Sequence, residues 1–189
     1  MQATLASRRS FIGTSGMLSA AAVVLLAGRD SLAQGMSADP AKDISILNAA
    51  LTLEHEAINA YQLGAASGLL QKPVMEVAVQ FQGHHKAHRD ALAATIQKLG
   101  GRPVEEMKLQ DYAQALNASQ LRNQGDVLAL AVRLELVAAN TYLSVIPAFG
   151  QRELGQVAGR LAADETMHYT VLLNTLGRPL PTSALSFGA

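Results

Sequence analysis

No cysteine occurs among the 189 residues, which excludes disulfides, thiolate-held metals, iron–sulfur clusters and a built-in rubredoxin-type electron carrier. Any metal must then be held by nitrogen and oxygen. Tryptophan is also absent and aromatics make up only 4%, against 49% hydrophobic residues rich in Ala and Leu. That shortage disfavours a sheet built on Val, Ile, Tyr and Phe and favours packed helices. Charge of one sign is missing too: 15 basic and 15 acidic side chains cancel. No Lys/Arg cluster lies in the body of the chain, so there is no electrostatic footprint for nucleic acid and none is expected as a partner. The length suits one domain with a real core. The apolar run MLSAAAVVLLAG near the N-terminus is far short of the roughly 20 residues of a membrane-spanning helix.

That run follows SRRSFIG and precedes SLAQ, where the small residues Ser31 and Ala33 offer a cleavage site after Ala33. Basic, apolar and small-residue segments in this order read as an export signal over residues 1–33. The pair Arg8 and Arg9 before Phe11 and Ile12 resembles the twin-arginine signal, which implies export to the periplasm of an already folded protein. Its removal leaves 12 basic and 14 acidic groups, a nearly neutral mature chain with no membrane segment expected.

After a polar spacer at 34–42, the mature sequence divides into four helical patterns within 43–177. Asp43 is expected to cap the first, whose inward stripe is Leu47, Leu51, Glu54, Ile58, Tyr61 and Ala65. The second carries Val74, Ala78, Phe81, His85, His88, Leu92, Thr95 and Leu99 inward and stops at Gly100, Gly101 and Pro103. Residues 102–125 lack sustained periodicity and read as a long connection with a short helix near Tyr112. The third, with Asp126 as the expected cap, turns Leu128, Ala131, Glu135, Ala138, Tyr142, Val145 and Phe149 inward, and Pro147 disturbs its last turn. The fourth, from about Glu153, presents Leu154, Ala158, Leu161, Glu165, His168, Leu172 and Thr175 before Gly177. The tail at 178–189 is expected to lie against the helices or be loose.

The halves correspond. LEHEAINAY (from Leu53) and LELVAANTY (from Leu134) share Leu, Glu, Ala, Asn and Tyr at one spacing, and LGGRP and LGRP close the second and fourth helices. Glu54 maps to Glu135, Tyr61 to Tyr142, His85 to Glu165 and His88 to His168. A helical hairpin used twice, with short internal loops and one long link, predicts an all-α four-helix bundle with quasi two-fold symmetry. Each apolar stripe is interrupted midway by a polar residue able to ligate metal. A lone carboxylate buried there would cost several kcal/mol or take up a proton. A pair of cations reverses the sign, and residues at i and i+3 can reach one ion together.

Glu54 and Tyr61, Glu135 and Tyr142, HxxH at His85 and His88, and ExxH at Glu165 and His168 resemble the ferritin-like superfamily, in particular its rubrerythrin, bacterioferritin and manganese catalase members. The resemblance covers Asp43 to Gly177. It implies a dinuclear iron or manganese centre, with Glu54 and Glu135 as terminal ligands, Glu165 bridging, and His88 and His168 each completing one metal. Tyr61 and Tyr142 would hydrogen-bond the carboxylates across the bundle, and Asp164 would hold a ligand histidine's free nitrogen. His85 departs from the pattern, standing where a second bridging glutamate is usual. By simple count, three carboxylates under two divalent ions leave a residual charge of about +1, which welcomes an anionic bridge.

His55 and His84 lie beside the stripes and read as partly exposed, with His84 able to replace His85 after a small rotation. Glu56, Arg89, Asp90 and Arg133 read as a solvated face or ion pairs. Three functions follow in competition: an exported di-metal oxidoreductase acting on peroxide or dioxygen, a metal-sequestering protein without turnover, and a metal-free stress-protection bundle. A homodimer is compatible with the sequence, which does not choose between iron and manganese.

Overall fold

A computed structural model describes residues 39–188; the export signal predicted at 1–33 lies outside them. Five α-helices are present among the described residues: α1 (Pro40–Ala66), α2 (Lys72–Lys98), α3 (Leu109–Ala115), α4 (Gln124–Val145) and α5 (Arg152–Thr175). α1 packs chiefly on α2 and α4 on α5, so the bundle is two hairpins. Residues 99–123, carrying the short α3, connect them and lie against α1.

Helix ends explain where the sequence expectations shift. Asp39, not Asp43, caps α1, accepting from the backbone N–H of Ala41 at 3.0 Å with Pro40 in the first turn; Pro lacks the donor that position leaves orphaned anyway. Likewise Asn123 caps α4 by accepting from Asp126 N at 3.1 Å, while Asp126 accepts in return from Arg122 N at 2.8 Å. The exchange satisfies two otherwise unpaired donors. α4 ends at Val145 and a 3₁₀ turn over Ile146–Ala148 contains Pro147, as proline's missing N–H requires. The two LG…RP signatures terminate their helices identically. Gly100 and Gly177 take φ of +83° and +66°, and Gly101 N to Ile96 O (2.9 Å) matches Arg178 N to Leu173 O (3.0 Å), the left-handed glycine stop.

Asp43 has a different task from the expected one. It is fully buried, and its carboxylate accepts from Gly150 N at 2.9 Å and Gln151 Nε2 at 3.4 Å, tying α1 to the α4–α5 turn. At the other end Gln124 Oε1 accepts from Gln71 N at 2.8 Å, tying α4 to the α1–α2 turn. Each hairpin thus staples the other's loop.

Besides a smaller cluster of Ala60, Tyr112 and Leu116 under the connection, the apolar core of the bundle divides into two layers. One holds Leu47, Leu51, Leu92, Ile96, Tyr142, Phe149, Leu154 and Leu161; the other holds Tyr61, Phe81, Leu128, Val132, Tyr169 and Leu172. Of the expected inward residues, Thr175 is exposed and Thr95 gives way to fully buried Ile96. Asn59 and Asn140, equivalent in the repeat, hold the peripheral segments: Asn59 donates to Glu106 of the connection, and Asn140 accepts from Gly188 of the tail at 2.8 Å. Phe187 also meets Tyr169 edge to face, so the tail lies against the bundle. α4 is long and apolar enough to pass for a membrane span by composition, yet Glu135 sits on its buried face.

Candidate metal centre

Between the two apolar layers lies a polar one. Glu54 of α1, His85 and His88 of α2, Glu135 of α4, and Glu165 and His168 of α5 are all buried. The i, i+3 spacing puts both residues of α2, and both of α5, on one turn facing inward. Two sets of atoms come together: Glu54, His85, His88 and Glu165 in one, His85, Glu135, Glu165 and His168 in the other, with all atoms of a set within 4.8 Å of one another. His85 and Glu165 belong to both, so the pair related by the repeat stands in the middle.

His85 Nδ1 lies 2.8 Å from Glu54 Oε2, and its Nε2 lies 3.2 Å from Glu135 Oε1. His168 Nδ1 is 3.2 Å from both Glu135 Oε2 and Glu165 Oε2. His88 Nδ1 and Glu165 Oε1 face each other at 3.2 Å, yet both are buried without a hydrogen-bond partner. Orphaned buried polar atoms are rare. A cation placed against them would satisfy both, so the donor set fits a metal. Nitrogen and carboxylate donors of this kind accommodate iron, manganese or zinc.

Tyr61 donates its hydroxyl to Glu135 and Tyr142 donates to Glu54, so each hydroxyl crosses to the other hairpin. His88 Nε2 lies 3.1 Å from Asp164 Oδ2, and His168 Nε2 lies 2.9 Å from His84 Nδ1. Asp164 and His84 are equivalent in the repeat. α2 therefore places His84 and His85 where α5 places Asp164 and Glu165. His84 is half-exposed and stands behind His168 instead of replacing His85 among the central six. The correspondence with Asp164 was the signal for that position. His55, expected to be partly exposed, is buried beneath the connection, its Nε2 3.3 Å from Val104 O. Arg89 pairs with Asp90 at 2.8 Å.

Without metal, the charges of the six groups compensate through protons. Burial alone would raise Glu54, but the hydrogen bond from His85 and the nearby imidazole of His88 hold it down at about 2. Burial opposes the charged form of Glu135 as well, and His168 and His85 outweigh it, keeping Glu135 low. Glu165 is pushed up, by burial first and then by sharing a hydrogen bond with Glu135. Burial works against protonated imidazoles, yet the carboxylates raise His85 and His168 and take His88 up to about 10. Burial and the facing carboxylates push Tyr61 and Tyr142 well above the phenol range, so both stay donors.

A cavity of about 270 Å³ opens between α1 and α4 and reaches His85. Its walls include Leu53, Ala57, Leu134 and Ala138, with Leu116 of the connection alongside. Glu56 and Arg133, expected on a solvated face or in ion pairs, line it with half-exposed and exposed side chains respectively.

The family model described as a ferritin-like domain matches residues 42–178. Among solved structures, a conserved hypothetical protein from Mycobacterium tuberculosis is similar at 21% identity. The match covers 77% of this chain and 97% of that one, with a TM-score of 0.61. This likeness shows the shared helical fold. No curated protein matches.

Proposed function

The chain belongs to the ferritin-like domain family, and from that premise we propose that it is an exported di-metal protein, an oxidoreductase acting on peroxide or dioxygen. The observation that carries the reading is the double ligand set sharing His85 and Glu165. In this reading Glu54 and His88 would hold one ion and Glu135 and His168 the other, with Glu165 within reach of both sets. When bound, iron or manganese supplies Lewis acidity and a redox couple. The chain's own contribution is to orient the ligands: Tyr61 and Tyr142 fix the carboxylates, and Asp164 and His84 fix the histidines. The buried centre also shields the reacting groups from bulk water. Export in folded form is supported by Arg8 and Arg9 in their motif and by the small residues before Gln34.

Elemental analysis of protein matured in an exporting host should return close to two Fe or Mn per chain, with spectral change on peroxide. Metal content equal to that of a Glu54→Ala, His168→Ala double variant would overturn the reading. His85 favours one alternative. An imidazole does not bridge ions as a carboxylate does, which favours sequestration without turnover. That reading expects bound metal whose spectrum peroxide leaves unmoved.

A further inference from the structure

The repeat in α1 and α4 places Leu, Glu, Ala, Asn and Tyr twice. Glu and Tyr belong to the metal layer, and Asn holds the peripheral segments. Leu and Ala remain: Ala138 belongs to the apolar core and Leu134 packs under the connection, yet these positions also border open space. Leu53, Ala57, Leu134 and Ala138 are walls of the cavity that ends on His85. His85 is only 1% exposed, so the cavity is a route from solvent toward an otherwise enclosed layer. Any side chain larger than Ala at 57 or 138 would project into that space from one wall or the other. The volume, about 270 Å³, is more than ten times the roughly 10–15 Å³ that admits one water. The walls are mostly aliphatic, and Glu56 and Arg133 give the cavity charges of opposite sign, with no net preference for an ion. On the α2–α5 side, the His84–His168 and Asp164–His88 pairs stand across the approach instead. The neighbouring cavity beside Tyr61 and Gly64 has only about 30 Å³.

We propose that the α1–α4 cavity is the binding pocket and entry route for a small neutral oxidant of a few heavy atoms, such as hydrogen peroxide or a short alkyl hydroperoxide, and that Ala57 and Ala138 set its size limit. What the oxidant meets at the inner end rests on the metal-centre reading; the route itself does not. The repeated Ala is then a specificity residue, kept small in both halves because both face one shaft.

The absence of cysteine makes a direct test available. In Ala138→Cys the introduced thiol is the only one, and its reaction with methyl methanethiosulfonate is compared with that of a bulky polyethylene-glycol maleimide. Val79→Cys on the exposed face of α2 gives the reference ratio. Selectivity for the small reagent should exceed the reference at least 100-fold, and adding Ala57→Leu, or Ala57→Val should Leu disturb folding by circular dichroism, should slow it at least tenfold. A thiol inert to the small reagent, or a rate within twofold of the parent in the folded Ala57 variant, overturns the proposal. A second arm separates the two readings. In iron-loaded chains, azide association should slow at least tenfold in the Ala57 variant at unchanged iron content, and an unchanged rate counts against the shaft. A chain that takes up neither iron nor manganese removes the metal reading, while the thiol rates still decide the route.

Discussion

Tyr142 and Tyr61 each lend a hydroxyl proton to a carboxylate that the opposite hairpin supplies. Tyr142→Phe leaves Glu54 buried with one donor fewer, at a cost on the order of 1.5–3 kcal/mol for a hydrogen bond to a charged group. Melting of the metal-free variant should fall by several degrees, and competition with a chelator should show metal affinity reduced about 10–100-fold. Protonation also makes the metal-free protein sensitive to pH. His88, raised from 6.5 to about 10, and the raised His85 and His168 bind protons that the unfolded chain releases. Their stabilisation is full below pH 6.5 and fades as pH climbs toward 10. Glu54, lowered from 4.5 to about 2, acts oppositely: its stabilisation is full above pH 4.5 and fades as pH falls toward 2. Glu165, raised above 4.5, adds stability that fades as pH rises past that point, so melting of the metal-free chain should be highest near the lower end of the range from about pH 4.5 to 6.5, each group's slope staying within about 1.4 kcal/mol per pH unit. A melting temperature flat from pH 6 to 9 would contradict this. Metal uptake should strengthen over the same rise, because cations displace those protons. The six central residues were legible because a carboxylate on an apolar stripe needs a reason. The burial of His55 was not, since it depends on where the connection crosses α1.

At the scale of elements, the staples matter more than the caps. Asp43→Ala removes the acceptor for Gly150 N–H in a buried position, and an unmet buried donor costs about 1–3 kcal/mol. Gln124→Ala loses a more exposed bond and should cost about half as much or less. Urea unfolding midpoints of the two variants, compared at equal m-value, give the measurement; equal losses would count against the asymmetry in burial. Helix number, order and C-terminal ends were readable from periodicity, Gly100, Gly177 and Pro147 because each acts through local backbone geometry. Asp43 and Asp126 were misplaced as caps. Both have a cap's chemistry, and only the three-dimensional position of the α4–α5 turn, or the competing Asn123, shows which acceptor is used. The task of His84 needed the two hairpins docked: its partner is 84 residues away in sequence.

For the molecule as a whole, a polar layer between two apolar ones makes stability depend on what fills it. Extracting metal should lower the melting temperature by several degrees, since ligand at 100 times its Kd adds about 2.7 kcal/mol. Scanning calorimetry before and after chelation, at fixed pH, measures it; no change would favour a proton-filled centre as the working state. His85→Glu, which makes the central pair alike, should raise the second ion's affinity, read from titration with Co(II) absorbance. The doubled plan was visible in the sequence, down to the paired LG…RP stops, whereas the cavity between α1 and α4 was not, because a void leaves no residue of its own to read.

The connection at 99–123 has one more effect. Two separate copies of a single hairpin could assemble the same bundle, but identity of the copies would force both central positions to carry the same residue. Joining the halves into one polypeptide frees them to differ. His85 can stand opposite Glu165, and His84 opposite Asp164, only because the halves are written out separately, so the tether is what makes an electronically lopsided centre possible in an otherwise balanced frame.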